Sequence, residues 1–184
     1  MRHFNRVFLA WLTLLCLATS GWAHGNGEGP SKEVMKRIFP GAESFVTRPL
    51  AIKPAVQKQL EKRIGKPLEA HDLKSNVYIA TAKGQSLGVL WATDAHLKEG
   101  PVDVIVGLDR QGRIAGVALD HSPLASLAQS SYLNQYKGKT AASPLQQGKD
   151  LKPLSSNPTA SQLVAQAARK AAILIDIVYL GGKK

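Results

Sequence analysis

The stretch VDVIVGLDRQGRIAGVALDH, residues 102–121, contains two β-branched apolar runs separated by a short polar turn. Apolar runs of this length, bounded by turn residues, predict strands. The connection DRQGR (109–113) has the length and the glycine, Gly112, that a hairpin loop requires. Strands joined by so short a loop run antiparallel. The segment therefore predicts a β-hairpin.

Two similar runs precede this hairpin, VYIATA (77–82) and SLGVLWA (86–92), and the short turn AKGQ (82–85) joins them. Four successive strands with short connections predict an antiparallel meander. Capping residues, apolar spacing and Pro or Gly stop signals predict helices around the sheet. The predicted helices cover residues 31–39, 54–64, 126–136 and 158–180. We expect a single α+β domain with helices packed on the sheet.

The N-terminal segment has the features of a secretory signal peptide over residues 1–23. Arg2, His3 and Arg6 flank an apolar run (7–18), and small residues follow at Gly21 and Ala23. The run is shorter than the roughly 20 residues of a spanning helix, although an uncleaved N-terminal anchor is an open alternative. We expect export to a periplasmic or other extracytoplasmic location, a flexible leader over residues 24–30, and a domain over residues 31–184.

Composition narrows the function classes further. Cys16 is the single cysteine and lies in the predicted signal peptide, and the histidines lack paired ligand spacing, so we predict no metal site. The chain carries 24 Lys and Arg against 13 Asp and Glu, which favours an anionic ligand, an acidic partner or an anionic membrane surface. Charge that serves only solubility is an equal alternative. Nucleic-acid binding is not expected, because the exported part is poor in aromatic residues.

The segment LSSNPTASQ (154–162) places small polar residues where the last helix begins. Asn157 is a suitable N-cap, and Pro158 suits the first helical position. The first amide hydrogens of a helix lack internal acceptors and carry the positive end of its dipole, so they can bind phosphate. Ser156, Asn157, Thr159 and Ser161 are therefore candidate binding residues. The alternative is that these residues only cap the helix.

Motifs along nearly the whole of the predicted domain resemble those of one family in their order and spacing. They are RIFPGAE (37–43), VYIATAKGQSLGVLW (77–91), VDVIVGLDRQGRIAGVALDHS (102–122), YLNQYKGK (132–139) and SNPTASQLVAQAARKA (156–171). The chain resembles the FMN-binding domain family, which includes the periplasmic flavin subunits of the Rnf electron-transport complex and of the sodium-translocating NADH:quinone reductase.

The resemblance implies an FMN-binding electron carrier near the outer face of the cytoplasmic membrane. A redox enzyme subunit with its own small-molecule substrate is an open alternative. A membrane redox component is the implied partner. The family's Ser-Gly-Ala-Thr motif falls on residues 156–159, which implies Thr159 as the residue that a flavin transferase would link to FMN. His121 falls where the family carries a histidine beside the flavin loop.

Two departures from the family keep an alternative open. Asn157-Pro158 replaces Gly-Ala, and proline removes an amide donor and fixes φ, which argues against covalent attachment. HSPLASLA (121–128) lacks the glutamate and glycines that follow the family's histidine. The alternative function is a non-redox binding module that keeps the fold and has lost covalent flavin, or any flavin.

Overall fold

Five antiparallel strands pair in the order in which they occur along the chain, so the sheet is a meander. The strands are β1 (Ser44–Pro49), β2 (Asn76–Ala82), β3 (Gln85–Leu97), β4 (Gly100–Asp109) and β5 (Ile114–Asp120). The structure is a computed structural model that describes residues 29–182. The predicted α+β architecture with an antiparallel meander is confirmed, and the described residues form one domain.

Helices cover the sheet on both faces. They are α1 (Lys32–Ile38), α2 (Pro54–Ile64), α3 (Ala70–Leu73), α4 (Ser130–Leu133) and α5 (Pro158–Tyr179), and short 3-10 turns span Ala125–Ala128 and Asn134–Tyr136. Helix α5 packs on β3 and β4, and α2 packs on α5. Helix α1 lies on the other face, against β4 and β5. The predicted caps of the first two helices are confirmed: Ser31 accepts the Val34 amide, and Gly65 ends α2 at φ 87°.

The strands alternate between two hydrophobic cores, as the pleat of a sheet requires. Val104 and Val106 of β4 face α5, and Ile105 between them faces α1. Gly107 allows α1 to approach closely, because a Cβ atom there would lie 2.5 Å from Ile38 Cγ2. The larger core therefore lies between the sheet and α5, and it fixes where the N-terminus of α5 sits.

Several elements differ from the sequence-based expectation. Strand β1 was not predicted, and the predicted helix 126–136 is broken into two 3-10 turns around the four residues of α4. Strand β3 continues five residues past the predicted end at Ala92, to Leu97. The predicted signal peptide (1–23) and most of the predicted leader (24–30) lie outside the described residues.

A buried ion pair connects α5 to α3, the short helix that precedes β2. Lys170 Nζ donates to both carboxylate oxygens of Asp72, at 2.8 and 3.1 Å, and both residues are at least 95% buried. The same ammonium lies 5.7 Å from the centroid of the Trp91 ring. Trp91 Nε1 donates to Ser75 Oγ, which donates to the Asp72 carbonyl. Every buried charge here has a close partner, which burial makes necessary.

We expect Lys170→Met and Asp72→Asn each to lower the free energy of unfolding by about 3–5 kcal/mol, because each leaves a buried polar partner uncompensated. The double variant is expected to lose much less than the sum of the two changes. Denaturant unfolding of the four proteins measures this coupling. Arg113→Ala, which removes the exposed ion pair with Asp109, is the control and should cost less than about 1 kcal/mol. Additive losses in the cycle would contradict the proposed coupling.

Candidate functional site

Helix α5 begins at the predicted residue, Pro158, with Asn157 at the N-cap position. Asn157 thus occupies the predicted N-cap position, but its side chain makes no capping hydrogen bond. Its amide nitrogen instead lies 3.4 Å from Ser126 Oγ, in the turn that follows β5. Asn157 therefore leaves the first-turn amides of Thr159 and Ala160 without a side-chain cap. An N-terminus of this kind favours an anion.

Ser161, a predicted binding residue, faces the interior instead of the solvent. Its side chain is fully buried, and its hydroxyl donates to the Pro158 carbonyl at 2.9 Å. The same oxygen accepts the Leu154 amide at 3.2 Å and Nε2 of Gln147. A hydroxyl has one hydrogen and two lone pairs, so this one is fully used. Ser161 ties the segment before α5 to the helix and offers nothing to a ligand in this arrangement.

Thr159 and Ser156 are both exposed at the tip of α5. Thr159 belongs to a polar stripe on the helix, which continues through Gln162 and Gln166 to Arg169. Residues three and four apart lie on one helix face, so these four side chains share a side. The spacing is visible in the sequence, but Gln162, Gln166 and Arg169 were not among the predicted site residues.

A cavity of about 400 Å³ lies between this stripe and the segment 144–149. Its lining combines apolar surface, four carboxamides and two cations: Pro144, Leu145, Gln146, Gln147, Lys149, Gln162, Ala165, Gln166 and Arg169. It begins one helical turn beyond Thr159. The volume lies within the usual range for small-molecule sites, and the mixture of apolar surface with a few polar groups is typical of them.

The outer wall of this cavity is folded around one carboxylate. Asp150 accepts the backbone amides of Leu145 and Gln146, at 3.2 and 2.9 Å, and lies 3.4 Å from Lys139 Nζ. Burial alone would raise the pKa of Asp150, but the two amides and the Lys139 charge outweigh it and lower that pKa below the ordinary value. Leu145 sits at φ 45°, a left-handed conformation that a bulky residue rarely adopts. The carboxylate therefore holds an unfavourable backbone bend in place.

Two buried tyrosines brace the helix start from the other side. Tyr132 donates to the Ser161 carbonyl at 2.8 Å, so its own oxygen must accept the hydrogen of Tyr136, 3.0 Å away. Burial raises the pKa of both hydroxyls above the ordinary value for tyrosine. Both hydroxyls therefore remain protonated donors at neutral pH. The two hydrogen bonds, from Tyr136 to Tyr132 and from Tyr132 to the Ser161 carbonyl, fix the first turns of α5.

His121 is turned toward the face of the sheet opposite α5. Its Nδ1 lies 3.2 Å from Asp103 Oδ2, and Asp103 alternates along β4 with valines that face α5. Burial raises the pKa of Asp103, the His121 hydrogen bond opposes that rise, and neighbouring Asp94 adds to it. The His121 side chain is paired with Asp103 and does not lie beside Thr159. The segment after His121 reaches the α5 tip through Ser126, which the sequence analysis missed.

Two further properties of residues 29–182 bear on the class of site. Within that range no three His, Cys, Asp or Glu side chains are arranged to hold a metal ion. None of the described helices combines the length and the apolar character needed to cross a membrane.

Comparison with known proteins adds no family assignment. No protein-family model matches the chain, and no curated protein matches it either.

We expect Asp150→Asn to lower the free energy of unfolding by about 1–2 kcal/mol at neutral pH, because it weakens two charge-assisted hydrogen bonds. Folding lowers the pKa of Asp150. Its contribution to the free energy of unfolding is therefore complete at pH values well above the ordinary aspartate pKa of about 3.9, and it is lost as the pH falls through the folded pKa. Denaturant unfolding of both proteins at several pH values from neutral to about 3 measures this.

Glu99→Gln, an exposed carboxylate in the turn before β4, is the matched control and should change stability by less than about 0.5 kcal/mol at neutral pH. A difference between wild type and Asp150→Asn that stays constant down to pH 3 would contradict the assigned role of the carboxylate.

Proposed function

We propose that this chain is an exported FMN-binding protein that carries electrons at the outer face of the cytoplasmic membrane. The observation that carries the proposal is the tip of α5. Its first turn lacks a side-chain cap, Thr159 and Ser156 are exposed beside it, and a cavity opens one turn further along. A phosphate at the tip and a planar ring in the cavity would use both features.

Several of the residues present offer contacts to FMN. Lys149 and Arg169 line the cavity and complement an anionic ligand. Pro144, which is exposed, offers apolar surface to a ring, and the carboxamides can bond to polar ring atoms. FMN would supply the electron-transfer chemistry, and the protein would bind it, orient it and exclude water. Thr159 and Ser156 would hold the phosphate together with the first-turn amides.

The order of motifs shared with the FMN-binding domain family supports the same proposal and extends it to partners. A membrane redox component would exchange electrons with the carrier, and a flavin transferase would be needed only for covalent attachment. Export and membrane association rest on the N-terminal sequence features and on the net charge of +11.

A second candidate function is a non-redox binding module, and one observation favours it. Pro158 occupies the first position of α5 and has no amide hydrogen, so the tip offers one donor fewer than the family's motif would. The arrangement of His121 with Asp103 also leaves that histidine engaged elsewhere. Such a module would bind an anionic ligand at the same tip without redox chemistry.

We expect the full chain, expressed with its own N-terminal segment and purified from the exported fraction, to show the blue-light absorbance of oxidised flavin. Thr159→Ala should raise the dissociation constant for FMN about 10- to 100-fold, because it removes a hydrogen bond to a charged phosphate. Flavin absorbance per protein and FMN titration by fluorescence measure these two effects.

Thr47→Ala, an exposed threonine on β1, is the matched control and should bind FMN as the wild type does. Intact mass after denaturation separates covalent from dissociable flavin. A colourless wild-type protein that also fails to bind added FMN would reject the carrier function and leave the non-redox module.

A further inference from the structure

We propose that the carboxamides of Gln147, Gln162 and Gln166 recognise the imide edge of the flavin ring in the cavity beside α5. The inference rests on the proposed function and adds to it the residues that would select the ring. That edge of the ring presents a carbonyl, an N–H and a second carbonyl in a row. A carboxamide can both donate and accept, so it is complementary to such an edge.

Gln147 is the one of the three whose carboxamide orientation is fixed by a hydrogen bond within the protein. Ser161 Oγ donates its hydrogen to the Pro158 carbonyl and accepts the Leu154 amide with one lone pair. Its remaining lone pair can only accept, so the Gln147 atom that meets it must be the donor Nε2. The acceptor Oε1 is then left for another donor, and we propose a ring N–H in the cavity that Gln147 lines.

Gln162 and Gln166 stand on the opposite wall, along the stripe that starts at Thr159. At a rise of about 1.5 Å per residue, they lie about 4.5 and 10.5 Å beyond Thr159 along the helix axis. A phosphate at the tip thus leaves room for a sugar-like chain before the ring. Pro144, the exposed apolar residue of the lining, supplies apolar contact for a ring face.

A second cavity, of about 460 Å³, lies beside Tyr132 and Leu154 but fits the ring less well. Its carboxamide, Gln135, already donates to the Lys152 carbonyl and accepts the Lys152 amide. Because both ends of the Gln135 carboxamide are bonded within the protein, it is not available to bind a ring edge. The cavity that contains Gln147 is therefore the better site.

The test compares FMN with FMN methylated at the imide nitrogen, which cannot donate at that edge. The full chain, freed of flavin by dialysis, is titrated with each compound and the two dissociation constants are measured by fluorescence. We expect methylation to weaken binding to the wild type about 3- to 10-fold, the range of one hydrogen bond. Gln147→Ala should weaken FMN binding by a similar factor and abolish the difference between the two compounds.

Gln166→Ala tests the opposite wall without endangering the fold, because the residue is exposed and alanine favours a helix. It should weaken FMN binding about 3- to 10-fold while the discrimination against the methylated compound remains. Gln111→Ala, an exposed glutamine in the β4–β5 turn, is the matched control and should change neither constant.

The outcomes separate this inference from the proposed function. If the wild type binds FMN but Gln147→Ala, Gln166→Ala and ring methylation all leave affinity within about twofold, the ring lies elsewhere. The inference then fails and the carrier function survives. If the wild type binds neither compound, both fail.

Discussion

The buried pair of Lys170 and Asp72 fixes how α5 is rotated on the sheet. Most of the other buried residues of α5 are alanine and branched aliphatic residues, which would tolerate several rotations. An ammonium cannot be buried without its partner, so the helix must turn Lys170 toward Asp72 and the Trp91 ring. One charged side chain thereby selects a single arrangement, as buried polar residues do in some coiled coils.

A second set of contacts holds the same helix from outside. Arg169, next to Lys170, donates to the carbonyls of Ile64 and Arg63 at the end of α2, at 3.3 and 3.2 Å. Arg63 in turn donates to Asp176, 2.8 Å away. Because the rotation is fixed, the residues on the Lys170 side of the helix lie inside, and the stripe from Thr159 to Arg169 faces the segment 144–149. The cavity is thus a consequence of helix orientation as much as of its lining residues.

The sequence predicts the elements whose stabilising signals are local. Strands β2 to β5 have alternating or continuous apolar runs between turns, and α5 has a proline at its first position. Strand β1 was missed because it is an edge strand with exposed residues and ends in Pro49, so its pairing with β2 determines its conformation. The segment 126–136 was predicted as a continuous helix, but the structure divides it into two 3-10 turns around α4, with Tyr132 and Tyr136 buried.

The site was predictable only where it depends on helix capping. Thr159 and Ser156 could be placed at an exposed helix start from residue types alone. The inward turn of Ser161 follows from hydrogen bonds with residues 147 and 154, which no local pattern reports. The same is true of Gln147 and the segment around Asp150, because the loop conformation comes from one carboxylate that collects two amides.

The helix start also bears on how the proposed flavin would be held. Thr159 already belongs to the regular helix, since α5 begins at Pro158 and the Ser161 amide donates to the Asn157 carbonyl at 3.0 Å. A transferase that reads an extended segment would have to unwind this turn and break that bond. Unwinding would also displace the Ser161 hydroxyl and release both Leu154 and Gln147. The same contacts that shape the cavity therefore oppose covalent attachment at Thr159, and they favour a flavin that binds reversibly through its phosphate.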